Sequence, residues 1–310
     1  MKLDKRYRTY SDFRNEHFTF RVQKLPIDVG FTCPNRDGTK GRGGCIYCNN
    51  HSFNTSYCNP SLRVADQLKR GMQFFSGKYA GMKYLAYFQA HTGTYASLGH
   101  LSELFDEALS VNDVVGIVVA TRPDCVSEEL LLYLKNLQRR CFVMLEYGVE
   151  TLNDTTLTLI NRCHDAAVSK WAMRLTHEYS IPQCAHLIFG LPGECTDDML
   201  HTVDEMAALP VDVVKFHQLQ VIRGTALEKM LRMGTLCDNT MKMKHFSLTD
   251  YLALCGEVVR RLPSSIAIER FVSESPHHLL VSPKWGVKPD KFKAMLDEYL
   301  QENDIYQGKM

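Results

Sequence analysis

The chain has almost no net charge, no apolar run long enough to cross a bilayer, no low-complexity tract and no internal repeat of the solenoid type. Each absence excludes something. A formal charge of +1 on 310 residues argues against a coat of basic residues for a polyanion, although it leaves room for a local basic patch. The opening stretch "MKLDKRYRTYSDF" lacks the apolar core of a secretory signal, so a cytoplasmic location is expected. In that compartment eleven cysteines stay reduced. A disulfide scaffold is therefore a poor reading, and clustered cysteines point to metal while scattered ones point to core packing.

With 45% hydrophobic and 23% charged residues, the composition is that of a globular protein with material for one large α/β domain or two smaller ones. Residues 1–24 form a basic arm, in which Lys2, Lys5, Arg6, Arg8, Arg14, Arg21 and Lys24 outnumber the nearby Asp4, Asp12, Glu16 and Asp28. Such an arm suits contact with nucleic acid or a solvated surface helix.

Six apolar, β-rich runs follow: 25–31, 84–90, 114–120, 143–149, 184–190 and 213–219. Between them lie helical periods, as in "LGHLSELFDEALS" (98–110), where Leu98, Leu101, Leu104, Phe105, Ala108 and Leu109 share a face. Continuous apolar strands separated by helices predict a parallel sheet covered by helices, either open or curled into a barrel or partial barrel. Beyond 234 the pattern loosens. It gives a helix over 247–263 with Ser247 or Thr249 as N-cap and Pro263 as terminator, a possible strand over 264–272, and a final amphipathic helix over 288–303. Residues 235–310 read as an α+β extension packed on a core of 25–234.

The strand ends run into "CPN", "QAHTGTY", "ATRPD", "GVET", "GLPGE" and "HQLQ". Ligands of parallel α/β folds bind at the carboxyl ends of the strands. The first of these ends opens "CPNRDGTKGRGGCIYC" (33–48), with Cys33, Cys45 and Cys48 in a glycine-rich loop. Three readings compete. His51 or Cys58 could complete a four-ligand zinc site; the thiols could be unliganded; or three thiolates could hold an iron-sulfur cluster with one iron open. The long first gap costs little, because loop-closure entropy grows only logarithmically with length.

At this point the chain resembles a known family. The cysteine loop, with "YFQAHTGTYA", "VATRPDC", "LINRCHDAA", "HLIFGLPGE" and "KFHQLQVIRGTALEKM", is similar to the bacterial Elongator-related radical S-adenosylmethionine proteins of the YhcC/YtqA type. The likeness runs from about residue 18 to 234, and more weakly through "SPKWGV" (282–287). It implies a partial (β/α)6 barrel. It also implies a [4Fe-4S] cluster on Cys33, Cys45 and Cys48, S-adenosylmethionine on the open iron, and reductive cleavage to a 5′-deoxyadenosyl radical. Tyr47 would pack near the adenine. Gln89 and Thr92 stand where the family has a Gly-Gly-Glu contact to the cofactor's amino group, and the glutamate is missing here. Glu150 would give polar support, Arg162 would pair with the cofactor carboxylate, and His186 would contact the ribose.

Each of these residues has a plainer use. Arg162 could cap or salt-bridge its helix, Glu150 could bond the next turn, and His186 could be a satisfied core histidine. Glu194 in "GLPGE" reads as a helix N-terminal charge. Lys215 and His217, two apart on the sixth strand, share a face expected to line the barrel lumen and are the catalytic candidates.

The expected function is a radical enzyme that abstracts hydrogen from a substrate. The resemblance to Elongator points to side-chain chemistry on tRNA wobble uridine, without the acetyl-CoA half. A small-molecule or tetrapyrrole substrate is the alternative, and a zinc-stabilised RNA-binding protein is the non-enzymatic one. An electron donor such as a flavodoxin or ferredoxin is the implied partner.

Overall fold

A computed structural model describes residues 5–52, 55–75, 81–237 and 242–309, apart from the side chains of His51 and Cys237. The strands are β1 (Val22–Ile27), β2 (Lys83–Phe88), β3 (Val114–Thr121), β4 (Phe142–Glu150), β5 (Gln183–Phe189), β6 (Val213–Gln218), β7 (Val221–Ile222), β8 (Ala267–Arg270) and β9 (Leu280–Ser282). The helices are α1 (Tyr10–His17), α2 (Val64–Phe75), α3 (Leu98–Leu109), α4 (Glu128–Leu137), α5 (Asp154–Leu159), α6 (Ala166–Glu178), α7 (Thr196–Ala207), α8 (Ala226–Arg232), α9 (Leu248–Arg261) and α10 (Pro289–Glu302).

Seven strands pair in parallel in the order β1-β2-β3-β4-β5-β6-β8 and curl into a half-barrel. The expected six-strand sheet thus gains a seventh strand from the segment read as an extension. Its four residues, half of them charged, give β8 too short an apolar signature to join the main series. The two edges of the sheet, β1 and β8, meet at one point: Lys24 Nζ on β1 lies 2.7 Å from Glu269 Oε2 on β8. The N-terminal arm supports the same seam, since Ile268 donates its amide to the Arg8 carbonyl at 2.8 Å.

Period-two alternation sorts each strand between two environments. On β4, Val143, Leu145, Tyr147 and Val149 belong to the core under the helices, while Met144 faces the smaller lumen cluster with Leu85, Tyr87, Val118, Cys184, Val213 and Ala267. Helix α1 plugs this end of the lumen with Phe13, which is 3% exposed.

Caps fix where the crossover helices start. Ser97, Ser127, Asn153 and Asp165 each accept an amide hydrogen bond within the first turn of α3, α4, α5 and α6. Ser247 is the cap of α9, as one of the two expected residues, and Pro263 follows its end. No helix among the described residues is long and apolar enough to cross a membrane.

Candidate active site

The loop after β1 shows how an eleven-residue gap still brings three thiols together. The Arg36 amide donates to the Cys33 carbonyl at 2.7 Å, the Lys40 amide to Pro34 at 2.8 Å and the Gly44 amide to Asn35 at 2.9 Å, so the gap is a folded-back loop. Gly43 and Gly44 hold φ of 82° and 79°, which lets the chain reverse just before Cys45. Asn35 then ties the loop to the segment after α5: its Nδ2 donates to the Asn161 carbonyl at 2.5 Å and to Cys45 Sγ at 3.6 Å. At Gly41 a Cβ would stand 2.3 Å from Asn35 Oδ1 and 2.6 Å from Cys163 Sγ, so no larger residue fits.

Each of the three thiols has its own arginine. Arg162 Nη1 donates to Cys45 Sγ at 3.6 Å, Arg36 Nη1 to Cys48 Sγ at 3.8 Å, and Arg122 Nη1 reaches Cys33 Sγ at 4.0 Å. Arg122, in the "ATRPD" strand end, is gripped by Asp124 at 2.8 and 2.9 Å and donates to the Arg162 carbonyl at 2.9 Å. Burial and the neighbouring Cys45 push the Cys48 thiol up to about 11, so a free thiol there keeps its proton and a bound metal has to displace it. Cys58, the possible fourth zinc ligand, turns away. Its thiol donates to the Pro26 carbonyl at 3.1 Å, and it does not line the cavity where the other three meet. His51, the other possible ligand, has its side chain outside the described residues.

The three cysteines line one end of a cavity of about 400 Å³ that runs down into the lumen. Tyr47, Gln89, Thr92, Glu150, Arg162, His186 and His217, all named from sequence, line it too. Glu150 reaches it through a left-handed backbone (φ 70°) at a register shift at the end of β4, an unusual conformation for a side chain of its size. Burial pushes its carboxyl up, against the pull of Arg162 at 3.5 Å. Arg162 also donates to the Gly148 carbonyl, where the missing Cβ makes room: one there would lie 2.9 Å from the guanidinium.

Below this lies a charged network that is absent from the sequence-based expectations. Glu146, fully buried on β4, accepts from Lys24 at 2.7 Å, Lys215 at 2.6 Å, Tyr87 Oη at 2.6 Å and His186 Nε2 at 2.9 Å. Lys215 also pairs with Glu269 at 3.3 Å. Burial opposes the charge on Glu146, but Lys215 and Lys24 outweigh it and hold its carboxyl well below the usual range. Burial, with Lys215, lowers His186 to about 4, so its ring is neutral and donates from Nε2.

Lys215 is 2% exposed and does not line the cavity. With its ammonium committed to two carboxylates, the catalytic role expected for it does not fit. Among the described residues of the N-terminal arm, Lys5, Arg6, Arg8 and Lys24 are paired with Asp12, Asp304, Glu16 and the lumen carboxylates, so these four are not a free basic surface. Glu194 is also not a solvated helix charge. It is 4% exposed, accepts from Thr151 Oγ1 at 2.6 Å, and burial raises it to about 7.

A parallel half-barrel whose strand ends gather three arginine-attended thiols beside a polar cavity defines a class, and comparison gives the same one. The chain belongs to the radical SAM superfamily: the superfamily profile matches residues 32–206, and that of the radical SAM C-terminal domain matches 211–302. Within it, the chain is similar to YtqA of Bacillus subtilis, 34% identical over 306 residues that cover 99% of this chain and 93% of YtqA. A tRNA uridine(34) acetyltransferase of Methanocaldococcus jannaschii is 24% identical over 209 residues, covering 64% of this chain and 36% of that protein. The solved structure of Elp3 from Methanocaldococcus infernus shares the fold at a TM-score of 0.68 and 16% identity, over 93% of this chain and 65% of Elp3.

Enzymes of this superfamily use a [4Fe-4S] cluster and S-adenosylmethionine. The residues present fit both groups. Three thiols with cationic donors suit a cluster that binds through three cysteines. Tyr47 Oη, Thr92 Oγ1 and Arg162 Nε are buried around the cavity with no hydrogen-bond partner, and such orphaned groups call for a polar ligand.

Proposed function

We propose that this radical SAM enzyme acts on a uridine of tRNA, at the wobble position, by abstracting hydrogen from the base or its side chain within the barrel lumen. The observation that carries the reading is the cavity that joins the three thiols to the buried Glu146 and His186 of the lumen, which offers room for a substrate group beside the cluster site. In this reading Cys33, Cys45 and Cys48 hold the cluster. When bound, the cluster and cofactor supply a 5′-deoxyadenosyl radical after one-electron reduction by a donor of the flavodoxin or ferredoxin type.

The chain's own residues do the rest. Arg162 offers its Nε to the cofactor carboxylate, and Thr92 with Gln89 replaces the missing glutamate beside the amino group. Tyr47 would pack near the adenine, with Glu150 as polar support. His186, fixed by Glu146, keeps Nδ1 as an acceptor for a hydroxyl. Lys24 and Lys215 keep Glu146 ionised and so hold that histidine in place.

Support for tRNA as substrate comes from the similarity to the tRNA uridine(34) acetyltransferase over 64% of this chain. The test is a comparison of modified nucleosides in tRNA from cells with and without the gene. The expected result is loss of one modified uridine and gain of its precursor. An unchanged profile overturns the tRNA reading.

A further inference from the structure

On the β6–β8 side of the cavity, Arg270 on β8 and His217 on β6 face each other: a guanidinium nitrogen of Arg270 lies 3.2 Å from His217 Nε2. The other lumen cations each have a carboxylate or thiol partner. Lys24 and Lys215 pair with Glu146 and Glu269, Arg122 with Asp124, and Arg162 with Glu150. Arg36 serves Cys48. Among the described residues no carboxylate lies within ion-pairing distance of Arg270; Glu274 lines the same rim, but it makes no ion pair with it. A guanidinium has five donors, and this one gives a single hydrogen bond, to a neutral acceptor.

Burial, and then Arg270 itself, hold His217 well below the usual imidazole range, so the ring is uncharged. Because Nε2 accepts from Arg270, its proton sits on Nδ1, and the ring is a second donor. The wall behind this pair is rigid. Gln218 accepts from the Ser273 amide and donates to the Ser273 carbonyl, both at 2.9 Å. Gln220 donates to the same carbonyl at 3.1 Å and accepts from Ser275 Oγ at 2.6 Å. Both glutamine amides are used at both ends to fix residues 273–275 against the segment 218–220.

We propose that Arg270 and His217 form an anion subsite of the substrate cavity, taking a phosphate or carboxylate group of the substrate. An arginine fork suits either oxyanion geometrically, and on a fixed wall little further order is lost on binding. The subsite rests on this cavity being the substrate site of the enzyme. On the tRNA reading the anion is the phosphate of a nucleotide turned into the lumen; on a small-molecule reading it is a carboxylate.

The test uses the reconstituted holoenzyme with S-adenosylmethionine, and uridine 5′-monophosphate, uridine and succinate as probes, with binding read by calorimetry or ligand-observed NMR. The expected result is that the monophosphate binds about tenfold or more tighter than uridine. Arg270→Gln should abolish that difference, Arg270→Lys should restore part of it, and Arg140→Gln on the outer surface should leave it intact. Iron and sulfide content and thermal melting confirm that each variant is folded and loaded. Arg270-dependent binding of succinate, with no gain of the monophosphate over uridine, supports the subsite and counts against the nucleotide. Binding of both anions that is weak or indifferent to Arg270 overturns the subsite, whatever the tRNA profile shows.

Discussion

Single residues divide by how their neighbours are arranged along the chain. Cys45, Tyr47 and Cys48 sit together in sequence, and the loop that brings Cys33 back to them is rich in glycine, so the thiol end of the cavity is legible in the sequence. Arg122 in "ATRPD" has a local partner in Asp124, but nothing nearby shows its approach to Cys33, which is 89 residues away. Glu146 does carry a local signal: a lone carboxylate inside the apolar run "VMLEYGV" is a buried charge, and a buried charge needs a partner. Glu194 misleads for a similar reason, since a glutamate just before a helix resembles a dipole charge, whereas in the fold Thr151 covers it.

Glu194 also gives a pH prediction. Its carboxyl stands at about 7 in the folded chain against 4.5 as an ordinary glutamate. Between those values the folded state binds more protons than the unfolded one, so this group's contribution to stability falls as pH rises through 7. Glu194→Gln removes the titration. Relative to that variant, the wild type is expected to lose on the order of 3 kcal/mol between pH 5 and pH 8, measured by denaturant unfolding at both pH values. A difference that stays flat with pH contradicts this.

Among the elements, the strands with continuous apolar runs are legible to within a few residues, and so are α3, α9 and α10. β1 and β8 are harder. The apolar run of the first covers 25–31 while the strand is Val22–Ile27, because Lys24 reads as part of a basic arm. In the fold Lys24 is a lumen residue whose ammonium lies over the Tyr10 ring at 4.3 Å and on two carboxylates. Lys24, Glu146, Lys215 and Glu269 come from β1, β4, β6 and β8, so this network joins both edges of the sheet to its middle. Such a join is invisible locally, since each strand contributes one charge that looks like an isolated exception.

Glu146→Gln leaves two buried ammonium groups to share Glu269. That is expected to cost about 3–5 kcal/mol of stability, read as a drop in the urea midpoint. A loss below about 1 kcal/mol would mean that the network is solvated and does not hold the seam.

For the whole molecule, the alternation of strands and helices limits the fold to a parallel sheet, and family resemblance supplies the curl. The physical cause of the curl is in the contacts: the ion pair across the seam, the arm strapped along β8, and Phe13 filling the lumen from below. The cavity that remains has thiols supplied by one loop and other walls built by strands from both halves of the chain. That is why the first is legible in sequence and the second is not.

The central claim is that Cys33, despite its distance in sequence, is equal to Cys45 and Cys48 in holding the cluster. It is tested most directly by measuring 5′-deoxyadenosine formed from S-adenosylmethionine after anaerobic reconstitution with iron and sulfide and reduction. The wild type and Cys58→Ala are expected to form it, while Cys33→Ala, Cys45→Ala and Cys48→Ala lose both iron and product. Product formation by Cys33→Ala, or a wild type that takes up stoichiometric zinc and no iron and forms no 5′-deoxyadenosine, contradicts the account.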